Sequence, residues 1–523
     1  MNLLIERLLT VTLRGESGFR CSLPELYTLA QDDTILDWPS LRPHQYPAWH
    51  MFLVQLAVLA HRAADFDSLR GTEEWAAALR ALTPDWPDDE PWSLVVQDWS
   101  LPALLQPPCP AGAESDYRFR VEFADALDML ITSKNHDLKA DRMVQATPEH
   151  WLYALVSLQT TEGFLGAGNY GIARMNGGFA SRSMMRCHAA GLGVGGQVMR
   201  DVRVMLEGYD TWRRTVEYGR SPDTEPLMWL LPWDGKSSVP LDRFHPLAIE
   251  VCRRIRLKNE GAQLFALTAG SKAARVNAKA AKGNVGCPWS PINAAEEKSF
   301  SLTGNGLGYR QMVDLLNPKK YRTPLLARPN KTDAEGSSAL VMVAAGIARG
   351  QGKTEGVHVR RVHLSPKSRQ KLLRITEDGE TLFARRSQRF VDMAGDVAGK
   401  ALRPALIQRA QGREEPKWQE PATAKIIEPW LKRFNESVDR CFFTELDQSF
   451  DAEEDDRAAE KRWSQLLRDT AEQIFSRASL ALPTRSESYL LAEAWALGRL
   501  RAGLIGQLPA LLNNTEAPEH ETA

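Results

Sequence analysis

The 523-residue sequence has only six cysteines, and none pair as C-x-x-C: Cys21, Cys109, Cys187, Cys252, Cys287 and Cys441 are scattered. That spacing excludes a disulfide framework and a sequence-local zinc knuckle, and suits a reducing compartment. No run of 18 or more apolar residues is present, so no stretch reads as a membrane-spanning helix. The opening MNLLIERLLT carries Glu6 and Arg7 inside its apolar run. It is a poor signal peptide, and a cytoplasmic location is expected. Charge of one sign is lacking as well: 65 Lys and Arg against 66 Asp and Glu leave a net charge of -1, so any nucleic-acid-binding surface has to be local. There is no H-E-x-x-H, no Walker A sequence, no G-x-S-x-G, and no cysteine with a catalytic signature around it. His136–Asp137 and Cys187–His188 adjoin, but neither pair comes with a nucleophile, and Cys187 reads as a buried structural thiol. These absences favour binding over turnover, with no enzyme activity, no cofactor and no metal expected.

What is present is ordinary for a folded chain: 43% hydrophobic and 25% charged residues, with length for two or three domains. The unusual stretch is His150–Arg182. It opens as an apolar helix-like run and continues through Gly163, Gly166, Gly168, Gly171, Gly177 and Gly178. Such glycine density marks backbone that bends sharply or approaches a partner closely. Asn169, Arg174, Asn176 and Arg182 among the glycines suit a sugar–phosphate backbone; a tight structural turn is the plain alternative. Gly166-Ala167-Gly168-Asn169-Tyr170-Gly171 fits G-x-G-x-x-G by letters, but a helix-like run precedes it where a dinucleotide site needs a strand.

Along the chain, Met1–Thr12 reads as a strand or hairpin start, Trp49–Ala63 as a central apolar helix, and Glu73–Leu82 and Asp98–Leu105 as further helices. Leu130–Met143 is a polar loop whose Lys134, Asn135, His136 and Lys139 can donate to phosphate, or simply stand in water. Leu227–Trp233 is an apolar strand candidate. Arg253, Arg254, Arg256, Lys258, Lys272, Arg275, Lys279 and Lys282 form a basic run, acid-free between Gly261 and Ala295. It is either a solvated face or a phosphate-binding footprint. LVMVAAGI, the glycine-rich Arg349–Gly356 and VHVRRVHL then read as a β-hairpin, with Arg349, Gln351 and Lys353 near its tip and Arg360 and Arg361 on its return arm. From about Gly379 the apolar spacing turns helical over Thr381–Arg409, Ala424–Leu446, Arg457–Leu480 and Ser486–Leu512, a four-helix bundle. The fold class expected is α+β: a large mixed α/β N-terminal domain (1–376), a C-terminal four-helix bundle (377–512), and a disordered tail (513–523).

The MNLLI start, Ser133-Lys134-Asn135-His136-Asp137 and GFLGAGNYGIARMNGGF, with the order of features around them, resemble the CasA family, large subunits of the type I-E CRISPR Cascade complex. The resemblance is specific in the N-terminal third and architectural beyond it. It implies a non-catalytic subunit that recognises the protospacer-adjacent motif (PAM) in double-stranded DNA, nucleates R-loop formation and helps recruit a helicase-nuclease. Implied partners are the backbone, small and crRNA-end subunits, the crRNA and the target duplex, with no membrane. Thr132–Lys139 matches a family loop at the crRNA 5′ handle and target duplex. Gly163–Gly171, centred on Gly166, Ala167 and Gly168 and including Asn169, matches the loop against the PAM minor groove. Gln351 matches a wedge beyond the PAM, and Lys298 a lysine at the minor groove. Glycines permit close backbone approach, and unstacking a base step costs a few kcal/mol, offset by guide pairing. Lys272, Arg275, Lys279, Lys282, Arg360 and Arg361 would then hold phosphates without reading sequence. Some family members carry paired cysteines suited to zinc; this chain has none. A scaffold subunit without DNA contact is the alternative, and a nucleotide-using enzyme a third. Convergence of Gly166–Gly168 and Gln351 on one surface near the basic stretches discriminates among them.

Overall fold

The antiparallel strands β1 (Leu9–Leu13) and β2 (Glu16–Cys21) turn at Arg14 and Gly15, where Gly15 takes φ +90°, and β3 (Ile35–Asp37) pairs antiparallel with the other edge of β1. A side chain there would be strained, so glycine sets the turn. The computed structural model describes residues 1–64, 71–128, 146–162, 168–170, 181–261, 263–329, 338–350, 353–482 and 489–511. Packing divides the chain into two compact units: Met1–Leu307 with Lys320–Arg361, and Gly308–Lys319 with Val362–Ala523. The division thus falls at Arg361–Val362, ahead of 376/377, and the second unit also takes a segment from the middle of the sequence.

In the first unit, α1 (Leu23–Gln31) starts from a capping box in which Ser22 and Glu25 satisfy each other's amides. Helix α2 (Tyr46–Ala63) is buried on every side from Pro47 to Ala60, as its strongly apolar sequence demands, and its polar His50 and Gln55 are hydrogen-bonded inside. Helices α3 (Thr72–Arg80), α4 (Pro148–Thr161) and α5 (Val194–Thr215) follow, and α2 packs against all three. Two three-stranded antiparallel sheets matter for the site. One orders β4 (Phe119–Val121), β7 (Gln263–Ala269) and β6 (Arg254–Glu260) with β7 central. The other places β8 (Leu340–Gly350) between β5 (Met184–Ala189) and β9 (Lys353–Leu364). The expected hairpin is therefore present as β8 and β9.

Asp201 of α5 anchors a buried charge cluster in this core. Its carboxylate lies 2.8 Å from His50 Nε2 and accepts from Arg186 Nε (2.9 Å) and Arg200 Nη1 (3.0 Å). Burial alone would raise the Asp201 pKa, but Arg186, His50 and Arg200 hold it well below the ordinary carboxylate range.

Two expectations fail locally. Asp98–Leu105 is a loop, because Asp98 draws the Ser100 amide and hydroxyl into a side-chain turn and Pro102 offers no amide for a helix. Leu227–Trp233 is strand only at Glu225–Leu227 and then a 3₁₀ turn at Met228–Leu230. The carbonyls of Met228, Leu231 and Pro232 accept from the Arg275 guanidinium in place of a strand partner.

In the second unit, α6 (Tyr309–Leu316) and α7 (Pro366–Leu373) join a bundle of four helical runs. The first is α8 (Leu382–Asp396), continued through a π-helical turn at Val397–Leu402 into α9 (Arg403–Gln411). The others are α10 (Pro421–Asp451), α11 (Asp456–Ala481) and α12 (Tyr489–Gln507). Thr381 and Asp455 cap α8 and α11 with their side chains, and Asp455 belongs to the acidic cluster expected at that connection. Trp463 centres the core: it stacks on Phe390 at 4.9 Å, meets Phe442 edge-on at 5.6 Å, and donates its indole N–H to Phe390 O. The α+β class and the four helical runs agree with the sequence reading.

Candidate nucleic-acid interface

Helix α4 ends at Thr161, and Glu162 leaves it in an extended conformation. The Glu162 side chain is only 1% exposed, and its Oε1 accepts from Arg349 Nη2 at 3.0 Å. Arg349, 4% exposed at the side chain, donates from Nη1 to Thr354 Oγ1 at 2.6 Å, so a guanidinium carried by β8 bonds both β9 and the residue that ends α4. Across the same place Ser181 Oγ donates to Ile347 O at 2.5 Å, and Arg182 N donates to Thr161 O at 3.2 Å. The glycine-rich stretch therefore departs and returns at a single base, against the last residues of β8. Gln351 and Gly352 are the two residues between β8 and β9 and lie outside the described residues, as do Gly166 and Ala167.

A second tie holds the stretch midway. Gly168 O accepts from Ser271 N at 2.6 Å, and Asn169 forms a parallel bridge with Ser271. Gly168 takes φ +84° with open space where a Cβ would stand. A Cβ on Gly270 would sit 3.0 Å from Gly168 O, so this approach requires a small residue there. Lys272 follows immediately and is exposed, as are Lys279 and Lys282. Gly168 and Asn169 thus meet the basic stretch at Ser271, two segments far apart in sequence.

Other predicted residues fall elsewhere. Arg275 is buried, its guanidinium spent on the three carbonyls named above, and burial pulls its pKa down to about 10. It is unavailable to phosphate here. Arg349 is likewise no groove contact, since its charge is consumed by Glu162. Of the earlier arginines in the basic run, Arg256 donates to the Leu101, Gln106 and Pro107 carbonyls and Arg254 pairs with Asp116; both are buried, as is Arg253. Lys298 is exposed but pairs with Glu296. Arg361 is exposed and Arg360 half-buried. The side chain of Lys353 lies outside the described residues, as do Lys134, Asn135, His136 and Lys139. The near end of that segment is fixed: the buried Asp128 carboxylate lies 2.7 Å from His44 Nε2 and accepts from Gln45 Nε2 at 2.6 Å.

Sequence reasoning missed Glu162 and Thr354. One signal for Glu162 existed: an acid at the C-terminal end of an apolar helix opposes the helix dipole and calls for a cation. Among the described residues no cluster of His, Cys, Asp and Glu suits a metal ion, and no helix is long and apolar enough to cross a membrane. Burial pushes the Cys21 and Cys252 thiols up to about 12, which leaves both unreactive.

No protein-family model and no curated protein matches the chain. Among solved structures it is similar to Thermus thermophilus CasA (Cse1), with 15% identity and TM-score 0.64 over 97% of this chain and 99% of that one. Thermobifida fusca Cse1 gives 14% identity and TM-score 0.66 over 98% of each chain. A chain of a CRISPR RNA-guided surveillance complex gives 14% identity and TM-score 0.56 over 97% and 99%. At such identities the likeness establishes the fold, which is that of CasA (Cse1) over nearly the whole length.

Proposed function

We propose that this chain, folded like CasA (Cse1) from end to end, is the large subunit of a type I-E CRISPR surveillance complex in antiviral defence. It binds the other Cascade subunits and the crRNA without catalysing a reaction, recognises the PAM in double-stranded DNA, nucleates the R-loop and helps recruit the helicase-nuclease. The reading rests on the likeness covering both the α/β part and the helical part. Its physical support is the common base of the glycine-rich stretch and the hairpin, with exposed Lys272, Lys279 and Lys282 along the same polypeptide as the Ser271 tie. A groove contact needs close backbone approach, a wedge and nearby cations, the roles this reading assigns to the glycines, to Gln351 and to these lysines.

The burial of Arg253, Arg254, Arg256 and Arg275 favours a second reading, a scaffold without DNA contact, because much of the sequence-level basic run is structural. A band shift separates the two. The crRNA-loaded remainder of the complex is mixed with a matched duplex, with and without this chain, and then with Gln351→Ala. Tight PAM-dependent binding that the substitution weakens is expected. A chain that joins the complex yet leaves duplex binding unchanged is a scaffold.

A further inference from the structure

We infer that Lys236 is a further phosphate-binding residue of the DNA interface, set beside Lys272 by glycines whose backbones pack directly on one another. The inference rests on the reading that this chain engages target DNA through the segment around Gly168.

Lys236 lies in a turn over Asp234–Ser237, outside the basic run that begins at Arg253. Asp234 Oδ1 builds the turn, accepting from the Lys236 amide at 2.8 Å, the Ser237 amide at 3.2 Å and the Ser237 hydroxyl at 3.2 Å. Gly235 takes φ +75°, and its carbonyl accepts from Lys272 N at 2.6 Å and Ala273 N at 3.3 Å. From there the two segments run side by side. Ser238 Oγ donates to Ala274 O at 2.6 Å, Val239 N donates to Arg275 O at 2.9 Å, and Val239 pairs in parallel with Val276. Lys236 therefore stands one residue along from the carbonyl that holds the Lys272 amide.

The approach leaves no room for side chains between the backbones. A Cβ on Gly235 would stand 2.9 Å from Arg254 Cδ and 3.0 Å from Gly270 O. Gly270 in turn abuts Gly168 O, so Gly270–Ala273 is held between the Gly168 segment and the Gly235 turn. The buried Arg254 supports this junction: its Nη1 donates to Gly270 O at 3.0 Å while its Nη2 pairs with Asp116. Three segments distant in sequence thus meet backbone to backbone, and two of them carry an exposed lysine.

A lysine ammonium is a compact charge that holds phosphate without reading sequence. Among the described residues neither Lys236 nor Lys272 is in an ion pair within 4 Å. Asp234 does not cancel them, because its carboxylate is taken up by the donors of its own turn and also faces the buried Arg275 guanidinium. Two such charges beside the bare backbone of Gly168 suit a phosphodiester strand.

The test uses the assembled, crRNA-loaded complex with full-length chain, and reads affinity for a PAM-containing duplex between about 50 and 200 mM salt. Lys236→Ala is expected to reduce the slope of log affinity against log salt by about 0.9, so that the variant loses about 3.5-fold less affinity than the unaltered chain across that range. Lys236→Arg, which keeps the charge, is expected to keep the slope. Arg14→Ala removes an exposed charge from the β1–β2 turn and is expected to leave the slope as it was. An unchanged slope with Lys236→Ala, an equal reduction with Lys236→Arg, or an equal reduction with Arg14→Ala overturns the inference. If omitting the chain leaves duplex binding unchanged, the functional reading itself fails. If the chain is required and Lys236→Ala leaves the slope unchanged, the inference alone fails.

Discussion

Helix α12 contains three glycines whose surroundings differ sharply, and they offer a controlled measurement of packing in the bundle. At Gly503 a Cβ would lie 2.7 Å from Ala401 Cα, 2.9 Å from Ala401 Cβ and 3.2 Å from Lys400 O. Ala401 and Lys400 belong to the π-helical turn between α8 and α9, so the neighbours are mainly backbone and cannot rotate away. At Gly498 and Gly506 a Cβ would meet nothing within 4 Å. Alanine is favoured over glycine inside a helix by about 1 kcal/mol. At Gly503 that gain is set against overpacking of about 1–3 kcal/mol, and contacts under 3 Å to backbone place the cost toward the upper end. Gly503→Ala should therefore destabilise the bundle by about 1–2 kcal/mol, while Gly498→Ala should stabilise it by about 0.5–1 kcal/mol. Amide hydrogen exchange in α8–α12 of the full chain reads the bundle alone, with urea denaturation followed by circular dichroism as a second measure. If Gly503→Ala slows exchange as Gly498→Ala does, the close approach between α12 and the π-helical turn is wrong.

Burial pushes His50 down to about 4, with Arg186 adding to the shift, and His188 is pushed to about 4 by the same two causes. Between about pH 4 and the ordinary value of 6.5 the folded chain binds fewer protons than the unfolded one, so this contribution is complete above 6.5 and is lost as pH falls toward 4. The urea midpoint should fall between pH 7 and pH 5, and His188→Gln should flatten that fall; a midpoint constant over the range refutes the burial argument. Replacing Lys272, Lys279 and Lys282 together by alanine should weaken duplex binding by the complex similarly across sequences and reduce the salt slope by about 0.9 per lost phosphate contact. An unchanged slope places these lysines away from the DNA.

The elements legible in the sequence are those governed by local periodicity. Helix α2 is legible through a strongly apolar run, the bundle helices through three- and four-residue spacing, and the hairpin through two β-rich runs around a glycine-rich turn. Asp98–Leu105 misled because its apolar residues are buried, but by a turn that Asp98 and Pro102 impose. The charged residues were harder. Arg275 and Lys279 look equivalent in the sequence, yet one is spent on buried carbonyls and the other faces water, and only tertiary packing decides which. Arg349 was marked as a DNA contact because its letter suits phosphate. Its partner, Glu162, is nearly two hundred positions away, beyond any local pattern.

The helical unit includes Gly308–Lys319, taken from a chain that then resumes the first unit at Lys320. No single cut therefore yields both units whole. A fragment beginning at Val362 lacks Tyr309, whose ring lies 4.8 Å from Phe442 and whose amide donates to Asp439 at 2.6 Å. Such a fragment exposes part of the aromatic core around Trp463 and should be sticky in isolation, while tethering residues 308–319 back to it should restore solubility. Exchange of the C-terminal half between relatives by one crossover would separate α6 from the helices it fits. The bundle is consequently a poor unit of modular inheritance, despite being contiguous over almost all of its length.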